Sequence, residues 1–226
     1  MTAGEVITRI KQEIRQSTTD DDRFSSTDLL NVVNEGYVDF CRYTEILETV
    51  STSVMSSLTS LVSLPANFID ARQFRWSYNR PLYTYSSRKL DYNEQAWKTE
   101  VGTPDAVVFT NWSAIRTKPI TSAAGTITMK YSYIPTALTT SDEPSFLKSF
   151  HDALVSFGAA ECFFMMKDIK NGNIHWKRYF DTRKKARSQA HSWQRTPDTM
   201  LSQRPVSVFN YPYWDNRFRS KAGPNS

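Results

Sequence analysis

Residues 126–164 read TITMKYSYIPTALTTSDEPSFLKSFHDALVSFGAAECFF, and their apolar period changes part-way along. In the first eight, Ile127, Met129, Tyr131 and Tyr133 alternate with Thr128, Lys130 and Ser132. That is the period of two of a strand with one wet face. Ala123-Ala124-Gly125 supplies the turn before it. Past Pro144, Leu147, Phe150, Leu154, Phe157, Glu161 and Phe164 follow a three-four spacing, the seam of a helix packed on helices. Strand and helix signals lie in separate blocks, which predicts an α+β fold.

Working upstream, the strand block continues. Ala106 to Trp112 and Ala114 to Lys118 read as a strand pair with Asn111-Trp112-Ser113 at the turn, and Leu90 to Lys98 as a helical turn around Trp97. Leu82 to Tyr85, Gln73 to Trp76 and Leu61 to Pro65 are further short strands. Residues 49–63 are rich in Ser and Thr with Val and Leu between them, where helix formers thin out and β-branched residues rise. Short strands at this spacing predict a small antiparallel sandwich or barrel. Before residue 48 the pattern is helical: Val6, Ile10 and Ile14 over 3–17, then Leu29, Val33, Tyr37, Phe40 and Cys41 in a helix running to about Leu47. Ser25 and Asp28 have capping-box spacing at the start of that second helix.

Downstream, Asn171-Gly172 is expected to end the seam helix. A last helix then runs to about Arg195, with Trp176, Tyr179, Ala186, Ala190 and Trp193 on or near one face. The expected organisation is a helical hairpin over 1–48, an inserted β module over 49–140, a second hairpin over 141–195, and an extended arm over 196–226. Each hairpin alone has a face to bury, so the two are expected to pack as one four-helix bundle.

Composition narrows the function. Hydrophobic residues are 39% of the 226, enough for a core, and no run reaches the 18 or more apolar residues that cross a bilayer. The opening Met1–Glu5 leads straight into an amphipathic pattern with no signal-like apolar run. Cys41 and Cys162 each sit in an apolar helical pattern and read as buried free thiols. Both observations predict a protein made and used in the cytosol. Net charge is +5, but residues 1–50 hold ten acids against five bases, so the excess is all downstream. Such asymmetry suits subunits stacked through complementary faces, a nucleic-acid path, or an ordinary solvated surface.

No pattern for chemistry stands out. His151, His175 and His191 form no HExxH and lie near no cysteine pair, so neither zinc nor another metal is expected. GxGxxG, GxxxxGK[ST] and GxSxG are absent, and no cofactor is expected. Asp20-Asp21-Asp22 lacks the spaced ligands of a calcium loop. These readings point away from an enzyme. Two segments invite partners instead. Lys177, Arg178, Arg183, Lys184, Lys185 and Arg187 crowd the last helix with only Asp181 opposing them. They could meet phosphates without reading sequence, face an acidic neighbour, or be solvated helix surface. The 196–226 segment has four prolines yet carries Phe209, Tyr211, Tyr213, Trp214 and Phe218, anchors that a docking arm needs and a disordered tail lacks.

The order of several short motifs resembles one known family. Trp97 precedes Gly102-Thr103-Pro104, strands follow, and Tyr131 with Pro135 closes the block. Upstream stands Leu64-Pro65-Ala66-Asn67-Phe68; downstream stand Glu143-Pro144 and His151-Asp152-Ala153-Leu154-Val155. This series, over roughly residues 5–195, resembles the head-to-tail connector (adaptor) proteins of tailed bacteriophages. The Ser/Thr run at 49–60 and the arm at 196–226 have no counterpart in the resemblance. It implies a virion structural protein of the neck, between capsid vertex and tail. It implies a homo-oligomeric ring, usually a dodecamer, that sits on the portal, extends the DNA channel for genome retention and ejection, and offers the tail a platform. Duplex DNA would pass without sequence-specific binding, and no membrane is involved. The arm, with Arg204 and the five aromatics, would then dock on portal or on a neighbouring subunit, and the basic helix would face acidic protein. Another ring of the neck or tail, such as a nozzle or completion protein, and a non-specific DNA-binding module are the alternatives.

Overall fold

Two capping boxes start the first two helices. Thr2 Oγ1 accepts from the Glu5 N–H at 3.2 Å while the Glu5 carboxylate accepts from the Thr2 N–H at 2.9 Å, opening α1 (Ala3–Glu13). Ser25 and Asp28 do the same for α2 (Ser26–Thr44), as their spacing predicts. Each box satisfies two backbone donors that a helix start leaves without partners. The computed structural model describes residues 1–15, 23–77, 80–93 and 95–193. α1 is shorter than the expected 3–17, because Arg15 turns out of the helix at φ 55°. α2 stops short of Leu47, at Thr44, where Glu45 takes the left-handed conformation with φ 53°.

The middle of the chain makes β1 (Glu48–Met55), β2 (Leu61–Ser63), β3 (Phe68–Trp76) and β4 (Arg80–Ser86). Next come α3 (Ser87–Asn93), a tight helical turn at Gln95–Lys98, β5 (Val101–Gly102), β6 (Ala106–Phe109), β7 (Ala114–Lys118), β8 (Ile120–Thr121) and β9 (Gly125–Tyr133). Seven strands form one nearly closed, barrel-like sheet in the order β1-β9-β3-β4-β6-β7-β2. Met55 near one edge and Val62 on the other share a core with Phe74, Trp76, Ile127 and Met129, as a sheet curled on itself requires. The alternation read in residues 126–133 is realised in β9 as far as Tyr131: Ile127, Met129 and Tyr131 are buried while Lys130 is exposed. It fails at Ser132, expected on the wet face but buried, where its hydroxyl donates to the Asp70 carbonyl at 3.2 Å. The sheet is not purely antiparallel, as expected, but mixed. β4 pairs with β6 in parallel, because residues 87–105 form a crossover carrying α3, and only such a crossover lets consecutive strands run the same way. Leu90 and Trp97 of that crossover pack under Val108, and Trp97 Nε1 donates to Asp91 at 2.9 Å.

β1 was not legible as a strand, and its burial shows why. Thr49, Ser51 and Ser53 face inward opposite Tyr131, Met129 and Ile127, whereas Val50 and Val54 face outward and are 60% and 85% exposed. The valines lie on the face opposite to the one burial would favour, and Met55 at the end of the strand is its one buried residue.

After Pro144 a tight turn (Lys148–Phe150) leads into α4 (His151–Met165), followed by α5 (Ile169–Trp193). Two features differ from the expected pattern. Leu147 is exposed, since it sits in extended backbone before the helix begins. Asn171-Gly172 does not end a helix; the break falls at Met166–Asp168, with Lys167 at φ 61°, and Gly172 lies inside the first turn of α5. A Cβ at Gly172 would stand 2.5 Å from the Phe164 ring, so glycine there permits the close turn of α5 onto α4. Side chains of α1, α2, α4 and α5 meet in one core that includes Ile10, Leu29, Phe40, Leu154 and Tyr179. Gly36 lets α2 approach α4 so closely that a Cβ would lie 2.6 Å from Phe157. Tyr133 packs against both the helical core and the sheet core.

Glu161 lies on the seam face of α4, half-buried and near Glu35. Burial first, then the Glu35 charge, raises its pKa. A carboxyl whose folded pKa is raised loses stability as pH rises through that pKa, so the ionised form is unfavourable at neutral pH. Glu161→Gln is expected to raise the melting temperature at neutral pH and to bring no gain under acid conditions. Thermal unfolding at the two pH values checks this, and a loss at neutral pH would refute it.

Candidate interaction surface on the last helix

α5 carries all six basic residues of the cluster, and helical geometry sorts them into two sets. At 100° per residue, Lys177, Arg178, Lys184 and Lys185 fall on one side with Asp181 among them, and all five are exposed. Arg183 and Arg187 fall on the flank that meets α2. Arg183 Nη1 donates to Asp39 Oδ2 at 2.6 Å, and the Tyr179 hydroxyl donates to the same oxygen. The Arg183 guanidinium also lies 3.9 Å from the centre of the Tyr43 ring and 4.5 Å from that of Phe180. Arg187 covers the other part of Tyr43 at 4.9 Å and donates through Nε to His191 at 3.3 Å. Guanidinium groups stack on aromatic faces in this way because the ring quadrupole attracts the cation and the flat group is weakly hydrated. Burial, then the Asp39 carboxylate, pushes the Tyr179 phenol well above its ordinary pKa, so it stays a hydrogen-bond donor. Two of the six residues are therefore committed to holding α5 on α2, and four remain as an outward basic face. Arg204, Phe209, Tyr211, Tyr213, Trp214 and Phe218 lie outside the described residues, as does Asp20-Asp21-Asp22.

A second charged group escaped the sequence reading. Arg72, on β3, reaches Glu45 Oε2 at 2.5 Å, Glu48 Oε1 at 3.4 Å and Asp70 Oδ2 at 3.7 Å, and Lys130 Nζ meets Glu48 at 2.6 Å. One guanidinium thus joins the end of α2, the start of β1 and β3 itself. Burial first, then the charge of Glu45, raises the Asp70 pKa against the opposing pull of Arg72. Nothing in local spacing pairs Arg72 with residues 24 and 27 positions upstream; only the β1-β9-β3 order brings them together.

Two histidines and both cysteines serve packing. His151 is buried, and its Nε2–H donates to the Phe146 carbonyl at 3.1 Å, closing the turn before α4. His175 stacks on Phe163, and burial lowers its pKa. Cys41 and Cys162 are buried free thiols, and burial pushes Cys162 up to about 11. Among the described residues no His, Cys, Asp or Glu group converges as metal ligands would, and no helix is long and apolar enough to cross a membrane.

No curated protein matches the chain. The family model described as SU10 adaptor protein matches residues 1–206, which takes in both helical ends, the whole sheet and the basic face of α5. With nearly its full length matched, the chain belongs to the SU10 adaptor protein family, a family of phage head-to-tail adaptors.

Proposed function

We propose that the protein is the subunit of a ring, of about twelve copies as the resemblance implies, that binds beneath the portal at one capsid vertex, prolongs the DNA channel and carries the tail. The observation that carries this reading is the family match over residues 1–206. In a ring each subunit uses two different patches, one for each neighbour, and the rotation must close. The four-helix packing of 1–48 with 141–195 serves as the ring wall, with the 49–140 module projecting from it and the 196–226 arm docking on portal or on a neighbour. The product is a virion neck component made in the host cytoplasm; it retains the genome and releases it on ejection, and it does no chemistry.

The basic face bears on the DNA alternative. A lining for moving DNA works best without strong cationic contacts, since each neutralised phosphate adds to the affinity. Lys177, Arg178, Lys184 and Lys185 are accordingly assigned to an acidic protein surface, with Arg183 and Arg187 spent inside the subunit. Mixing the purified protein with purified portal and imaging by electron microscopy is expected to show a ring of added density under the portal. Binding to isolated tail components but not to portal would favour a nozzle or completion protein. Tight duplex binding by the isolated chain, falling steeply with salt, would favour the DNA-binding module.

A further inference from the structure

Among the described residues β1 ends the sheet on one side and pairs only with β9. Its sequence, ETVSTSVM, has eight residues and holds no lysine, arginine, proline or glycine. Natural sheets blunt such edges with charged side chains, lysine above all, with proline or a bulge, or by keeping them short, because a free edge is a template for another strand; the one charge in β1 is Glu48, at its very start. The opposite edge, β2, is kept short at three residues. β1 also presents Val50 and Val54 outward, 60% and 85% exposed, while Thr49, Ser51 and Ser53 take the inner face. An open backbone edge and an apolar outer face on the same strand both call for a protein partner.

We propose that β1 accepts an added strand formed by residues 206–211 of a second copy. This rests on the ring reading above. The segment, Val206-Ser207-Val208-Phe209-Asn210-Tyr211, lies outside the described residues and is the most β-prone run after α5. Pro205 and Pro212 flank it, and proline cannot donate to a ladder, so an added strand would stop at both ends. Six residues span about 20 Å, which fits the eight of β1. The two faces of the run carry either Val206 and Val208 or Phe209 and Tyr211, so either face sets apolar side chains beside Val50 and Val54. Main-chain bonds to the edge would supply affinity and these side chains the register. Residues 194–204 form a tether of at most about 40 Å when fully extended. Donor segment and acceptor edge are different patches of one chain, which is the head-to-tail contact a closed ring requires.

A synthetic peptide of residues 203–214 titrated onto the full chain carrying Val208→Pro tests the docking. The peptide is expected to slow amide hydrogen exchange in residues 49–54, and adding Val50→Lys and Val54→Lys to the acceptor is expected to weaken binding about tenfold or more. Absence of protection in β1, or unchanged affinity in the lysine variant, overturns the proposal. Exchange between copies is tested by mixing the full-chain Val208→Pro variant with the full-chain Val50→Lys/Val54→Lys variant. The first lacks a donor and the second an acceptor, so only the mixture is expected to associate. If the mixture stays as monomeric as its parts, the second copy is not the occupant. Portal binding is scored separately: intact portal binding without β1 protection sinks the strand exchange alone, and loss of portal binding by the unaltered chain sinks the ring reading.

Discussion

Replacing Phe40 by alanine is expected to cost about 4 kcal/mol, because a fully buried aromatic leaves both its transfer free energy and a cavity behind. The ring lies where α2, the turn before α4 and α5 meet. Its centroid stands 4.6 Å from that of Phe146, 6.1 Å from Phe150 and 6.5 Å from Tyr179, so α2, the turn before α4, and α5 would all lose contacts at once. Neighbouring backbone is pinned and cannot collapse into the hole: the Tyr37 hydroxyl one turn earlier accepts from the Ser145 N–H, and Thr44 one turn later donates to the Phe40 carbonyl. Domains of this size are stable by about 5–15 kcal/mol, so the loss is a large share of the total. Urea unfolding followed by far-ultraviolet circular dichroism measures it. Phe40→Leu, which keeps most of the volume, is expected to cost under about 1.5 kcal/mol. A Phe40→Ala loss below about 1 kcal/mol would mean that the helical core does not depend on this contact.

The second large effect is expected at Arg72. Arg72→Met keeps the bulk of the side chain but leaves Glu45, Glu48 and Asp70 facing one another across the joint between helices and sheet. Removing one partner of a buried pair costs about 3–5 kcal/mol, and the lower end applies here because side-chain exposures of 17–33% allow some solvent screening. The pH dependence gives an independent check. Asp70 already has a raised pKa, with Arg72 the charge that restrains it. Without Arg72 the folded pKa moves further above the unfolded value, so stability falls as pH rises through it and recovers on acidification. Melting temperatures of the Arg72→Met protein are therefore expected to rise from neutral pH toward about pH 5, more than those of the unaltered protein. A flat profile would show that the three carboxylates do not share this site.

The parts of the fold that depend on local chemistry were legible. Ser25 and Asp28 cap α2 as their spacing requires, β9 alternates as read up to Tyr131, and β6 and β7 pair about the Asn111-Trp112-Ser113 turn, where Asn111 accepts from the Ser113 N–H at 3.0 Å. What escaped depends on distant partners. β1 hid because its valines point outward and its inner face is Ser and Thr, so no alternation with a buried apolar face exists to be read. Asn171-Gly172 carries a helix-ending signature, yet Gly172 answers to the Phe164 ring on the preceding helix. The parallel β4–β6 pair depends on how a crossover packs, which strand spacing does not encode. The basic cluster was visible as composition only. Sorting Arg183 and Arg187 from the other four needed Asp39 and Tyr43, 140 or more residues away.

The chain order of the elements sets an order of events during synthesis. α1 and α2 leave the ribosome first, but the core they share with α4 and α5 cannot close until residue 151 and beyond have been made. At about 5–20 residues per second the first two helices wait on the order of ten seconds with their apolar faces uncovered. The strand that prepares the closure is β9. Pairing Ser132 with Glu48 brings the two halves of the helical core to within about 5 Å of one another along the chain's path. It replaces a long loop by a short one before the last helices dock. The sheet is thus the clamp on which nascent-chain yield turns, and lesions in β9 are expected to lower the amount of folded protein made before they alter anything the finished subunit does.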